Sequence, residues 1–206
     1  MSNTTQIKLK HQSFSLIFQY IPIALVVLRF AIAPLLLLDA LNGQINIWFI
    51  IGFVAAFLSD IFDGVIARRL GVSTPALRKA DSWADICLYL CIAAAAWIVH
   101  PDIIAAFHLP LLMVVWVQGL WWIINLVKYG QPASYHTYSA KFWGLTLFVA
   151  TLALFGFDYG GVTLSLAITV GIIHTLEEIG MTFILPNWTH DVLSIAHALE
   201  LRHHPR

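Results

Sequence analysis

Charge is scarce in this chain. Of its 206 residues 11 % are charged and 60 % hydrophobic, and the formal net charge is zero. With a mean hydropathy of +0.82, so little polar surface cannot coat a soluble domain of this size, which places the chain in a membrane. A zero net charge supplies no field to steer it toward nucleic acid, so no such partner is expected. Cysteine is nearly absent: Cys87 and Cys91 stand one helical turn apart, poorly placed for a disulfide, and read as small buried apolar residues. Internal repeats, low-complexity tracts and a second domain are missing too. The N-terminal residues are polar and show no short cleavable apolar segment, so the sequence is expected to be mature.

What is present is apolar sequence in long runs. Six stretches approach the ~20 residues that a membrane span requires: Ile21–Leu41, Ile45–Leu70, Asp81–His100, Ile104–Lys128, Tyr138–Phe157 and Gly161–Leu185. The expected fold is all-α, a polytopic membrane protein of six transmembrane helices. Residues 1–20 form an N-terminal cytoplasmic or interfacial segment, residues 21–185 the six-helix domain, and residues 186–206 a cytoplasmic C-terminal tail. The connections at Asn42 to Gln44, His100 to Asp102 and Asp158 to Gly160 carry no Lys or Arg, whereas Lys8, Lys10, Arg68, Arg69, Arg78, Lys79 and Lys128 lie on the other side. By the positive-inside rule both termini are cytoplasmic. Counting about 1.5 Å per residue from the inner ends, Arg29, Asp60, Asp63, Asp81, Asp85, Lys141, Glu177 and Glu178 all fall in the inner leaflet. One-sided charge argues against a through-going ion pathway and for a pocket open to the cytoplasm.

The stretch from Ser59 to Ile86 organises the rest. Asp60, Asp63, Asp81 and Asp85 lie inside or at the edge of apolar runs, where an unpaired carboxylate costs at least about 2.5 kcal/mol on insertion scales. On a helix, Asp60, Asp63 and Ala67 share a face with Gly64 beside them, and Asp81 and Asp85 share a face of the next helix. A hairpin of the two would gather all four. Clustered carboxylates repel one another and cannot all stay ionised without cations, and hard oxygen ligands select Mg²⁺ or Mn²⁺, with room for two ions.

These residues resemble the signature of the CDP-alcohol phosphatidyltransferase family, D-x2-D-G-x2-A-R-x8-G-x3-D-x3-D. Asp60, Asp63, Gly64, Ala67, Arg68, Asp81 and Asp85 match it with the spacing intact. Leu77 stands where the family has its second glycine, which lets the backbone approach the donor nucleotide, so the donor pocket changes shape here. The resemblance implies a transferase of phospholipid synthesis. It would move a phosphatidyl group from a CDP-linked donor such as CDP-diacylglycerol to a small alcohol or phospho-alcohol, with release of CMP. It also implies that Asp60, Asp63 and Asp81 ligate the metals and that Asp85 takes the acceptor's proton while touching the second metal. Asp60, Gly64, Ala67, Arg68 and Leu77 would line the donor nucleotide, and the protein would be a homodimer.

Residues outside the signature are less specific. Ile21 to Pro34 is similar to the family's first helix, with Arg29 set to pair with an acid from another span or to shape the polar pocket. Lys128 and Lys141 are either loop lysines on the positive side or contacts to a phosphate on the acceptor. Tyr135, His136 and Tyr138 read equally as interfacial anchors and as ligands. Glu177 and Glu178 point about 100° apart on a helix, with Arg29 or Lys141 as the expected partner. Two other readings fit paired aspartates: an intramembrane Mg²⁺-dependent prenyltransferase, which calls for two acid-rich segments on distant helices, and a non-enzymatic cation-binding protein or transporter, for which Leu77 speaks.

Overall fold

The computed structural model describes residues 20–72 and 74–203, so the N-terminal interfacial segment with Lys8 and Lys10, and the C-terminal Arg206, lie outside the described residues. Among the described residues the protein is all-α, with eight helices: α1 Ile21–Ala40, α2 Ile47–Leu70, α3 Pro75–Val99, α4 Pro101–Ala106, α5 His108–Tyr129, α6 Tyr138–Phe157, α7 Gly161–Ile184 and α8 Ile195–His203. Six of them, α1, α2, α3, α5, α6 and α7, are long and apolar enough to cross a membrane. The chain divides into two compact units, residues 1–99 and 100–206.

In the first unit α1 packs along both α2 and α3. Small side chains permit the close approach: Ala33 and Ala40 on α1, Ala56 on α2, and Ala84 and Ala95 on α3 are fully buried. At Gly52 a methyl group would stand 3.0 Å from Leu36 Cδ2, so α2 meets α1 at a position where only glycine fits without displacing a neighbour. The chain turns between α1 and α2 on an Asx clasp, with Asp39 accepting from the backbone and the side-chain amide of Asn46. At the other end of α2, Gly71 takes a left-handed conformation (φ 67°) and donates to the carbonyls of Ala67 and Arg68, a helix stop that residues with a Cβ disfavour. Thr74 then starts α3: its Oγ1 accepts from the Leu77 amide and its carbonyl from that of Arg78. That cap explains why α3 begins at Pro75, six residues before the apolar run that marks the expected span at Asp81.

In the second unit α7 packs against α5, α6 and α8. The expected fourth span divides: α4 is a short helix opened by Pro101, and α5 starts at His108, whose Nδ1 lies 2.6 Å from the Ala105 carbonyl. Gly130 (φ 72°) ends α5, and Thr137 caps α6 by accepting from Ala140. Beyond Ile184 the chain folds back. Ser134 forms an isolated parallel bridge with His190, Tyr138 donates to the Leu193 carbonyl, and α8 packs on α7 around Tyr135, Met181, Leu185, Val192 and Ala198. The segment expected to be a tail therefore contains a helix packed into an apolar cluster that it shares with α7. The outward faces of the spans are apolar, as at Trp116, Val127 and Val162, where lipid replaces protein as the neighbour.

Candidate functional site

The four aspartates meet, and they meet on an arginine. Asp60 and Asp63 from α2 and Asp81 and Asp85 from α3 all form ion pairs with Arg29 of α1, whose side chain has no exposed surface. Nη1 lies 2.9 Å from Asp60 Oδ1, 2.9 Å from Asp81 Oδ1 and 2.5 Å from Asp85 Oδ1, and Nη2 is bonded to Asp63 Oδ2. The hairpin expected from the sequence is thus a three-helix arrangement. α1 holds the acids of α2 and α3 together, and an arginine expected to find one acid partner finds four.

One guanidinium cannot offset four carboxylates. With all four ionised the group keeps three uncompensated negative charges within membrane-spanning helices, a state that calls for added cations or added protons. The donor set suits cations: oxygens of Asp60, Asp63 and Asp81 all lie within 4.8 Å of one another, and carboxylate oxygens are the ligands that Mg²⁺ and Mn²⁺ prefer. The residues present therefore fit a divalent metal.

Around the acids the other signature positions fall into rows. Asp60, Gly64 and Arg68 follow one another at intervals of four residues, as do Leu77, Asp81 and Asp85, so each set lines one side of its helix. Arg68 is exposed and folds back over Gly64: a methyl on that glycine would stand 3.3 Å from Arg68 Nη1. Ala67 is buried. Leu77 is half-buried in the first turn of α3, on the row that carries Asp81 and Asp85. Tyr89 stands a further turn along that row. Its i+4 spacing from Asp85 was the sequence signal for it.

The second unit has a polar cluster of its own. Thr137 and Ser139 sit 3.4 and 3.3 Å from His174 Nδ1, Ser139 donates to Glu177, and Thr137 donates to Glu178 at 3.4 Å. Glu178 also lies 3.8 Å from His174 Nδ1. The expected pairing of these glutamates with Arg29 or Lys141 is corrected: their partners are hydroxyls and an imidazole, because the capping turn of α6 presents Thr137 and Ser139 to α7. Lys141 instead lies over the Tyr138 ring, 5.4 Å from its centroid. Lys128 donates to the Thr182 carbonyl at 2.7 Å and reaches that of Phe183 at 3.5 Å, satisfying carbonyls at the end of α7. Tyr129 bonds the carbonyls of Thr182 and Leu185 at 3.0 and 2.8 Å. Tyr135, read as an anchor or a ligand, is buried with its hydroxyl 3.0 Å from Thr182 Oγ1. Burial pushes its phenol above the ordinary value, so it remains a hydroxyl at neutral pH. The C-terminal His190 lies beside Asp191, 2.9 Å from Nδ1, and takes part in no metal-type cluster among the described residues.

Six membrane-crossing helices and a carboxylate group built for hard cations define an integral membrane protein with a polar site set among its spans. The model of one family, the CDP-alcohol phosphatidyltransferases, matches residues 19–193, and the chain belongs to that family. Its class of reaction is accordingly the transfer of a phosphatidyl group from a CDP-alcohol, an enzymatic step of lipid biosynthesis. No curated protein and no solved structure matches the chain.

Proposed function

We propose that the protein transfers the phosphatidyl group of CDP-diacylglycerol to a small alcohol or phospho-alcohol, releases CMP, and depends on two Mg²⁺ or Mn²⁺ ions. The observation that carries this reading is the convergence of Asp60, Asp63, Asp81 and Asp85 on one point with the family spacing intact. Asp60, Asp63 and Asp81, with Asp85 at the second position, would hold the cations, which when bound would supply positive charge against that developing on the departing CMP. Asp85 accepts the proton of the acceptor hydroxyl as its oxygen attacks the β-phosphorus. The bond from that phosphorus to the bridging oxygen breaks, and CMP leaves with the electron pair. Gly64 and Ala67 leave the α2 face low enough for the nucleotide, and Arg68 offers planar donors to its phosphates. Lys141, Lys128 and Arg29 are the candidate contacts to a phosphorylated acceptor; Lys128 keeps its charge while donating to a carbonyl, and Arg29 is paired with the aspartates. Residues 21–185 form the catalytic domain, its pocket and both termini facing the cytoplasm, and the protein works as a homodimer. Purified protein incubated with Mn²⁺, CDP-diacylglycerol and a panel of alcohols is expected to release CMP with at least one of them. Failure with all, with the protein folded and metal bound, rejects the reading.

Two smaller predictions arise from the same residues. Leu77→Gly should tighten the apparent affinity for CDP-diacylglycerol by up to about tenfold, the lower end of what one apolar group decides in a pocket. It should also cost about 1 kcal/mol of stability for a glycine within a helix. Unchanged donor affinity would show that the side chain points away from the nucleotide. Lys128→Met should lower stability by about 1–2 kcal/mol through its lost charged hydrogen bonds, with the acceptor KM unmoved. A raised acceptor KM at unchanged melting temperature would instead make Lys128 an acceptor ligand.

A further inference from the structure

We propose that Arg29 is a built-in stand-in for one of the metal ions: its Nη1 nitrogen holds the position of a divalent cation in the metal-free protein and is displaced when that ion binds. The inference rests on the metal-binding reading of the aspartates and goes beyond it by assigning Arg29 a positioning role that sets metal affinity.

A terminal guanidinium nitrogen carries two N–H bonds, yet Arg29 Nη1 has three carboxylate oxygens, from Asp60, Asp81 and Asp85, within 2.9 Å. Two of them, those of Asp81 and Asp85, accept its hydrogen bonds. Asp60 Oδ1 is a third acceptor, equally near at 2.9 Å. A nitrogen ringed at 2.5–2.9 Å by more acceptor oxygens than it has protons is in the setting of an ion. A second observation is independent of the acids. Arg29 Nε is buried and has no hydrogen-bond partner among the described residues, so the guanidinium leaves one donor unused while its far end is oversubscribed. A pose that satisfied the side chain would share its donors more evenly.

Two consequences follow from charge. Without metal, Arg29 is the one cation paired with the four acids among the described residues, and it lets α1, α2 and α3 assemble. With metal, the guanidinium and the incoming ion compete for the same oxygens, so the ion that takes its place must displace a positive charge and binds more weakly than four carboxylates alone would allow. Arg29 thereby keeps the empty site folded at the expense of affinity.

The test uses the full chain in lipid nanodiscs, Mn²⁺ as the probe, and two readouts that need no turnover: Mn²⁺ affinity by electron paramagnetic resonance, and melting temperature with and without Mn²⁺. Arg29→Met should melt earlier when metal-free, gain more from Mn²⁺ than the wild type does, and bind Mn²⁺ about tenfold more tightly or better, the direction that removing a nearby positive charge dictates. Should that variant fail to fold, Arg29→Lys decides. A lysine keeps the charge as a single point and cannot bond Asp63 and the other three acids at once, so its Mn²⁺ affinity should also exceed that of the wild type. If the wild type binds Mn²⁺ and the folded variants bind it equally or less well, the inference is overturned while the metal-binding reading stands. If the wild type binds no Mn²⁺, both fall.

Discussion

Asp85→Asn is expected to lower CMP release by at least about 10³-fold, within the range that a positioned base contributes, while CDP-diacylglycerol still binds. The two halves of that result have separate causes. Asparagine has nearly the shape of aspartate and retains an oxygen that can accept from Arg29 Nη1, the bond that Asp85 Oδ1 makes at 2.5 Å, so the arrangement of α1 and α3 survives. What it lacks is a basic oxygen to take the acceptor's proton. Rate is read as CMP released per protein, and donor binding as competition with a fluorescent CDP-diacylglycerol analogue. Turnover at the wild-type rate would remove Asp85 from the chemistry and hand the proton to another group.

Asp63→Asn should behave differently, losing donor-dependent metal binding together with turnover. Asp63 is the most buried of the four acids, with 5 % of its side chain exposed, and it alone bonds Nη2 of Arg29. Its oxygen is also one of the three that come within 4.8 Å of one another. Mn²⁺ affinity is expected to fall by more than the about 10–100-fold that outer partners of a metal ligand carry, with CMP release below detection. Chelation by EDTA should abolish wild-type activity in the same way, and Mg²⁺ or Mn²⁺ should restore it. Full activity in EDTA would refute metal dependence outright. The contrast between a variant that binds donor without turning over and one that does neither separates proton transfer from metal binding at a site where all four acids touch one arginine.

Much of this protein was legible because a membrane makes few demands and makes them loudly. Twenty apolar residues in a row announce a span, and the fifth expected span coincides with α6 at Tyr138–Phe157. Helix starts set by a cap rather than by hydropathy were harder: Thr74 begins α3 in a polar run, where an apolar window sees nothing. The short α4 and the folded-back α8 were beyond reach for the same reason, being held by Pro101 and by packing against α7 rather than by composition. At the site, the aspartates declared themselves by spacing, since local periodicity fixes which residues share a face of one helix. Which helices neighbour one another is not local information. Arg29 was visible as a charge that needed a partner, but its place among four acids follows from α1 packing on both α2 and α3. Glu177 and Glu178 were misassigned on the same ground: opposite charge suggested lysine or arginine, while the fold supplies Ser139, Thr137 and His174.

The order in which these groups leave the ribosome adds a constraint on biogenesis. Arg29 emerges before any of its four partners, on a helix that contains Pro34, and a lone arginine at the centre of a span is penalised by about 2.5–3.5 kcal/mol during insertion. Relief arrives in instalments, first with Asp60 and Asp63 and then with Asp81 and Asp85. The three leading segments should therefore linger at the translocon and partition into lipid as a set, so that a nascent chain truncated before Asp81 would be held back or cleared by quality-control proteases.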